Sequence, residues 1–352
     1  MSLITFVPES IDISVLVLPS APYHIDAEYI VEHSFKYNKD LLPNQKFELG
    51  TTYSGTIEFT IKGGEDENGV DQAKYFFNKF KNATYENHKV RFSPSEPYGY
   101  FYLAEQELDH EGNLKITAYD EMARLSFRTG DDIVELPTNL YLSTHTLQDM
   151  IESIGNLFDS GLYTDLTQLP NYDWTGFSNS NITAFRRASL RTILSLCCAM
   201  MGCFATCTSN GLEIKQFECD PNKAFTQLTF GGAFESVLTD DFQMGGIVMI
   251  MEGTSYSYIA DNTKPLLTIY NDLLVNTTNI STRMQNIWDG IKDCPTYLVG
   301  WEAKFVADWV TRENDILDFG SSTYRTITKI QTTSNGHTTI GCTVNGIEDW
   351  RM

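Results

Sequence analysis

The chain has 352 residues, of which 42% are hydrophobic and 20% are charged, as is typical of a folded globular protein. Its net charge of -21 disfavours tight binding to nucleic acid or to an anionic membrane surface, because both carry negative charge. A chain of this length is expected to form about two to four subdomains. Its 18 Tyr and 21 Phe residues favour β structure.

The acidity leaves two interpretations open. It can mark a well-solvated surface, or it can form a wall along which DNA passes without sticking. Residues Met1–Ser10 have neither the cationic region nor the apolar core of a secretory signal. The longest run without a polar or charged side chain, Leu196–Ala205, is too short to cross a bilayer, so no stable membrane insertion is expected.

The seven cysteines do not form the pattern of a disulfide framework. Their number is odd, five of them lie between Cys197 and Cys219, and no pair has CxxC spacing. Cys203 and Cys207 have the spacing of half a zinc site, but no second pair follows them. Buried, reduced thiols are the favoured interpretation, and zinc is the alternative.

The first third of the chain has the two-residue alternation of β-strands. Strands are predicted at Ile11–Leu18, Glu28–Tyr37, Leu49–Lys62, His88–Phe92, Tyr98–Leu108 and Leu114–Tyr119. A helix is predicted at Asp71–Asn82, where apolar residues recur at helical spacing. Several short strands with one small helix are typical of a compact barrel or sandwich.

The middle third contains two predicted helices. Thr146 is expected to cap the first, with Asp149 in the position where a capping box prefers Glu or Gln. Ser189 is expected to cap the second helix, and Gly202 to end it, since glycine tolerates a positive φ. This part of the chain therefore mixes helix with strand.

A hairpin is predicted directly after Gly202, and the last third mixes both patterns. The hairpin strands are Phe204–Ser209 and Leu212–Phe217, around the turn Asn210-Gly211. Further predicted elements are strand, turn and strand at Ser236–Met251, a helix at Ser281–Ile291, and a closing hairpin of Tyr324–Ile330 and Thr338–Val344.

No residue is assigned a catalytic, cofactor-binding or metal-binding role, and no cofactor is expected. The chain lacks HExxH, GxSxG and GxxxxGK[ST] motifs. The adjacent carboxylates Asp131-Asp132 and Asp240-Asp241 are typical of solvated turns. The acidic loop Glu65–Gly69 lacks the alternating ligands of a calcium-binding EF-hand loop. The protein is therefore expected not to be an enzyme.

Three segments together resemble one protein family. Leu114–Leu125, LKITAYDEMARL, resembles the segment with which phage tail hub proteins leave their first barrel. Ser189–Ile214 resembles a helix, glycine and hairpin unit of the same family. The closing stretch Trp301–Trp350, with its extended YRTITKIQ strand, also fits. The family is the baseplate hub or tail-associated-lysin-like (Tal-like) group of long-tailed phages, prophages and phage-derived injection systems.

The resemblance implies a mainly β, α+β fold. It has two tube-type β-barrel domains with inserted α/β subdomains. The first barrel would span 1–127, an inserted α/β domain 128–225, and the second barrel 226–352 with a helical insertion around 256–299. Many relatives continue into an enzyme or fibre region, and this chain stops at Met352, so we expect the hub without that region.

The resemblance also implies a location and a set of partners. Three copies would form a homotrimeric ring at the tail tip, closing the tail tube and matching its six-fold symmetry to a three-fold tip. Partners would be the distal tail or tube protein, the tape measure protein, and tip fibre or receptor-binding proteins. DNA would be met only in transit, when the ring opens.

Two alternatives stay open. One is a host-binding, carbohydrate-binding module, in which tryptophans would stack on sugars. The candidates are Trp174, Trp288, Trp301, Trp309 and Trp350. The other is a cell-wall hydrolase, for which the sequence names no catalytic carboxylate.

Overall fold

A computed structural model shows how these segments fold. It describes residues 12–18, 22–32, 34–40, 49–52, 54–83, 89–94, 99–126, 146–169, 188–208, 210–216, 234–236, 244–251, 254–270, 280–292, 301–306, 316–318, 324–326, 329–333 and 337–342.

The described chain is mainly β. Its strands are β1 (Ile13–Val17), β2 (Tyr23–Ile25), β3 (Lys36–Asp40), β4 (Thr56–Ile61), β5 (Val90–Pro94), β6 (Phe101–Leu108), β7 (Leu114–Asp120), β8 (Cys203–Thr208), β9 (Gly211–Gln216), β10 (Phe234–Ser236), β11 (Gly246–Met251), β12 (Thr254–Ile259), β13 (Leu266–Tyr270), β14 (Trp301–Val306), β15 (Ile316–Asp318), β16 (Tyr324–Thr326), β17 (Lys329–Thr333) and β18 (His337–Cys342). Its α-helices are α1 (Gln72–Phe80), α2 (Glu121–Arg124), α3 (Leu147–Gly155), α4 (Leu190–Met200) and α5 (Ile280–Ile291).

One antiparallel sheet of 11 strands organises the molecule. Its order is β10-β14-β18-β17-β3-β4-β7-β6-β5-β1-β2, and it curls into a half-barrel. The N-terminal and C-terminal parts of the chain join in the sheet where β17 pairs with β3, with Ile330 opposite Lys39. The sheet therefore takes strands from both 1–127 and 226–352, and the division of these segments into two separate barrels remains a prediction.

The first hydrophobic core lies on one face of this sheet. Because side chains alternate along a strand, Ile57, Phe59 and Ile61 of β4 all point to that face and are buried. Helix α1 covers it with Ala73, Phe76 and Phe80, as its helical spacing predicted. Edge-to-face ring contacts help to fix the packing. Phe92 lies 5.4 Å from Phe59 and 5.6 Å from Phe80, measured between ring centroids.

A second core forms a helical module beside the sheet. It is built from α3, α4, the hairpin β8–β9, and the three-stranded sheet β12-β11-β13 with α5 against it. Buried members of this core include Met150, Ile154, Leu194, Cys197, Phe204, Leu212, Ile247, Ile269 and Ile287.

Several predicted helix and hairpin signals are confirmed. Thr146 and Asp149 form a capping box at α3, in which each side chain bonds the other residue's backbone N–H. Ser189 caps α4 by accepting from the N–H of Thr192, and Gly202 follows the helix at φ +68°. The helix predicted at Ser281–Ile291 is α5. A closing hairpin is present, but its first strand is β17 at Lys329–Thr333. The start of the strand predicted at Tyr324–Ile330 is a separate strand, β16, which pairs with β15.

Three more predicted strands differ from the structure. The strand predicted at Leu49–Lys62 begins only at Thr56, since Gly50 lies in a turn at φ +80°. The strand predicted at Glu28–Tyr37 begins only at Lys36, because Ala27–Tyr29 is a 3-10 turn and the N–H of Ser34 bonds the carbonyl of Val31. The alternating pattern therefore covers a segment in which the chain changes direction. The second hairpin strand starts one residue early, since Gly211 already pairs with Thr208, at φ +124°.

Gly50 allows the loop before β4 to pass close to α4. Its φ is +80°, and a Cβ atom there would lie 2.2 Å from the carbonyl oxygen of Ser195 and 2.7 Å from Cβ of Ala199. A side chain would therefore bring both backbone strain and a collision with the helix.

We expect Gly50→Ala to lower the free energy of unfolding by roughly 3 kcal/mol, the sum of a left-handed alanine and an overpacked contact. Gly64→Ala is the matched control, because Gly64 has φ +97° but a Cβ atom there would meet no neighbouring atom within 4 Å. It should cost only about 1 kcal/mol. Urea titrations of the two variants measure both values, and equal losses would show that the close approach at Gly50 is unimportant.

Candidate functional site

Four of the five clustered cysteines, Cys197, Cys198, Cys203 and Cys207, are buried in the second core. Cys219 lies outside the described residues. Burial raises the pKa of Cys203 to about 12 and holds the pKa of Cys198 well above its usual range, so these thiols stay protonated. Within the described ranges, no three His, Cys, Asp or Glu side chains come together as a metal site. These thiols therefore pack as apolar groups.

The acidic loop Glu65–Gly69 uses its central carboxylate for its own turn. Asp66 accepts hydrogen bonds from the N–H groups of Asn68 and Val70, each at 2.9 Å, and from the Gln72 amide at 3.0 Å. These bonds lower the pKa of Asp66. Its oxygens are thus engaged within the loop.

Other candidate residues are placed only in part. Trp288 is buried in the second core, so its ring does not face a sugar. Asp131, Asp132, Asp240 and Asp241 lie outside the described residues, as do Trp174, Trp309 and Trp350. Trp301 begins strand β14.

A group of polar contacts, some of them buried, joins the two cores. The chain crosses between them along the end of β7 and α2, with Ala118 in the first core and Met122 and Leu125 in the second. We call the polar residues at this crossing the junction. They are Thr52, Tyr102, Asp120, Glu121, Arg124, Ser126, Asp159 and Arg191.

Asp120 fixes the crossing in place. Its carboxylate accepts from the N–H of Gly55 at 2.6 Å, the hydroxyl of Ser54 at 3.0 Å and the N–H of Met122 at 3.1 Å. The last bond caps α2, as acidic residues commonly cap helices. One side chain therefore ties the start of α2 to the loop before β4.

Glu121 is a buried carboxyl group that accepts, within the part of the chain the structure describes, from the N–H of Asp159 at 2.8 Å. Burial raises the pKa of Glu121 to about 7, and the charges of Asp159 and Asp120 add to this rise. The Asp159 N–H and the Arg124 guanidinium oppose it, although Arg124 lies 3.9 Å away. Glu121 is therefore partly protonated at neutral pH.

Tyr102 connects the sheet to the helical module. Its hydroxyl donates to the carboxylate of Asp159, which lies in the turn after α3. Burial raises the pKa of Tyr102, and the nearby charge of Glu121 adds to the effect. The phenol stays protonated and donates its proton to Asp159.

Arg191 joins α4 to the same crossing. Its Nη2 donates to the carbonyl of Thr52 at 2.7 Å, its Nε to the hydroxyl of Thr52 at 3.0 Å, and its Nη1 to the hydroxyl of Ser126 at 3.2 Å. A backbone hydrogen bond also joins the loop before β4 to the start of β8: the N–H of Gly50 donates to the carbonyl of Cys203 at 2.8 Å.

The sequence patterns did not predict the junction, although the family resemblance marks two of the segments that form it. Leu114–Leu125 and Ser189–Ile214, two segments of the family resemblance, meet here through Arg191, Leu125 and Ser126. An arginine at the start of an otherwise apolar helix was the available signal. The arrangement holds separate segments of the chain together.

None of the helices in the described residues is long and apolar enough to span a membrane.

Comparison with known proteins identifies structures of similar fold. A prophage tail protein, gp18, from Listeria monocytogenes EGD-e aligns over 96% of this chain and 95% of its own, with a TM-score of 0.52 and 11% identity. The 43 kDa tail protein of prophage MuSo2 from Shewanella oneidensis aligns over 95% of this chain and 98% of its own, with a TM-score of 0.51 and 12% identity. No protein-family profile matches the chain, and no curated protein matches it by sequence.

Arg191→Met should lower the free energy of unfolding by about 2 kcal/mol, because it removes three hydrogen bonds made by a charged group. Arg124→Met is the control, since the guanidinium of Arg124 lies 3.9 and 4.0 Å from its nearest carboxylates. It should change stability by less than about 0.5 kcal/mol. Urea unfolding at pH 6, where Glu121 is mostly protonated, measures the free energy of unfolding of both variants. Similar losses of stability in the two variants would contradict the prediction.

The four buried thiols should resist alkylation in the folded protein. At pH 8, iodoacetamide should leave Cys197, Cys198, Cys203 and Cys207 unmodified for a time that fully labels the chain in guanidinium, because only exposed thiolates react. Peptide mass spectrometry reads each site. Rapid labelling of Cys198 without unfolding would show that the second core opens readily.

Proposed function

We propose that this chain is a structural protein of a phage or prophage tail, acting as the hub that closes the distal end of the tail tube. The observation that carries the proposal is the similarity of fold to two prophage tail proteins over 95% or more of each chain. A match of nearly whole chains means that the sheet and the helical module both have counterparts in those proteins. The three resembling segments point in the same direction.

The two faces of the sheet support a role in a channel wall. One face carries the first core and α1. The opposite face carries, side by side across four strands, Lys36, Glu58, Thr117 and Glu105. Lys36 and Glu58 form a half-exposed pair 3.9 Å apart. A wide polar face on a curled sheet suits a water-filled channel, and we assign it to the lumen side.

The net charge supports passage of DNA without binding. A chain with net charge -21 repels the phosphate backbone, so DNA in transit would meet a repulsive wall. No nucleic-acid specificity, cofactor or membrane insertion forms part of the proposed role. The protein is proposed to act by shape and not as an enzyme.

The assembly we propose is a homotrimeric ring. Each copy would supply two tube-type barrel units, so six units would face the six-fold tube while the tip keeps three-fold symmetry. The described sheet ends in two strands of three residues, β2 and β10, which offer short edges for pairing between copies. Neighbours in the tail would be the distal tube protein, the tape measure protein and the tip fibres or receptor-binding proteins.

The purified chain should form trimers, alone or on a tube end. Light scattering over a range of concentrations should give a mass of three times 39.8 kDa. Where the chain alone is monomeric, adding the tube protein of the same phage should produce rings at tube ends in electron micrographs.

The position in the virion is tested separately. Particles carrying a tagged copy of the chain should bind gold-labelled antibody at the distal tip of the tail. Label along the shaft or at the head-proximal end would overturn the hub assignment and leave only a general tail role.

A further inference from the structure

Glu121 differs from the acidic residue beside it in how its charge is balanced. Asp120 is surrounded by three donors. Glu121 is 2% exposed, and among the described residues its close donor is the backbone N–H of Asp159. An ionised carboxylate with so few partners is costly to bury, so protonation is the simplest way for this group to remain inside.

The groups that face Glu121 leave its charge uncompensated. Arg124 is the nearby cation, and it stands between two carboxylates, 3.9 Å from Glu121 and 4.0 Å from Asp159. Asp120 adds a further negative charge, and Tyr102 is a neutral donor. Strand β8, which also packs against α2, has only thiols as titratable groups. With Glu121 neutral, Arg124 and Asp159 balance each other, and its ionisation adds a buried negative charge.

This charge lies where the two parts of the molecule touch. Tyr102 belongs to β6 of the large sheet, and Asp159 belongs to the turn after α3 in the helical module. Glu121 accepts from the backbone of that same turn. Repulsion between Glu121 and Asp159 therefore acts directly on the contact between sheet and module.

We propose that Glu121 is a proton-controlled contact: its neutral form holds the turn at 156–160 against the sheet, and its ionised form loosens that turn. The proposal stands on these contacts and does not depend on the role of the protein in a tail. It makes the coupling between the curled sheet and the helical module sensitive to pH near neutrality.

The direction of the pH effect follows from which of the two arrangements binds the proton of Glu121 more tightly. The pKa of Glu121 is raised from 4.5 to about 7 in the closed arrangement, because burial disfavours the charge. In the loosened arrangement the carboxyl meets water and returns towards its ordinary value. Stability of the contact is thus fully present at low pH, falls as the pH rises from about 4.5 to about 7, and then levels off.

Hydrogen exchange of the wild-type protein measures this loosening. Amides of residues 156–162 should exchange faster at pH 8 than at pH 5, by on the order of 10- to 100-fold after correction for the intrinsic rate. Amides in the centre of β7 should show no such change, because they lie within the sheet.

Three variants separate the cause from general instability. Glu121→Gln keeps an acceptor for the Asp159 N–H and removes the charge, so the corrected exchange should become independent of pH. Asp159→Asn keeps the acceptor for Tyr102 and removes the repulsion, so the midpoint should move to lower pH. Glu111→Gln, at a site 69% exposed, is the matched control and should behave as the wild type.

Two results would overturn the proposal. One is a wild-type protein whose corrected exchange at 156–162 does not change between pH 5 and pH 8. The other is a Glu121→Gln variant that keeps the wild-type pH dependence. Should Glu121→Gln fail to fold, the Asp159→Asn midpoint decides, and an unshifted midpoint would count against the proposal.

Discussion

The carboxylate of Asp120 is the contact on which the two-part arrangement depends. It binds Ser54 and Gly55, which precede it by 66 and 65 residues, and it caps the helix that begins at the next residue. The strand end, the loop before β4 and the start of α2 are therefore fixed relative to one another. Because α2 has only four residues, its direction decides where Met122 and Leu125 enter the second core. Replacing the carboxylate would leave three donors without this acceptor, two of them buried backbone N–H groups.

Local periodicity was enough to predict elements but not their arrangement. The capping box at Thr146, the cap at Ser189 and the buried face of β4 each depend on residues within a few positions. The pairing of β17 with β3 joins segments about 290 residues apart, and no local pattern specifies it. The contact between Glu121 and Asp159 spans 38 residues for the same reason. At 28–37, alternation indicated one continuous strand, whereas the chain turns there and pairs only at the Ile30–Ile61 bridge and along β3.

The polar groups of this molecule serve its architecture. Arg191, Asp120 and Tyr102 direct their hydrogen bonds towards other segments of the chain. Cys198 and Cys203, two of the clustered thiols, are neutral core groups. A curled sheet braced by a helical module suits the structural role proposed above. Similarity of fold at 11 and 12% identity is consistent with a design in which the pattern of contacts matters more than particular side chains.

The pairing of β3 with β17 also has a consequence for synthesis. In the folded chain β3 lies between β4 and β17, and β17 follows it by about 290 residues. At roughly 5–20 residues per second, a ribosome needs about 15–60 s to make that stretch. Throughout this time the strands of the N-terminal segment exist without the partner that covers β3. A nascent sheet with an uncovered strand is prone to pair with a neighbouring chain. Expression at lower temperature or with a chaperone that binds nascent chains should therefore raise the yield of correctly folded protein.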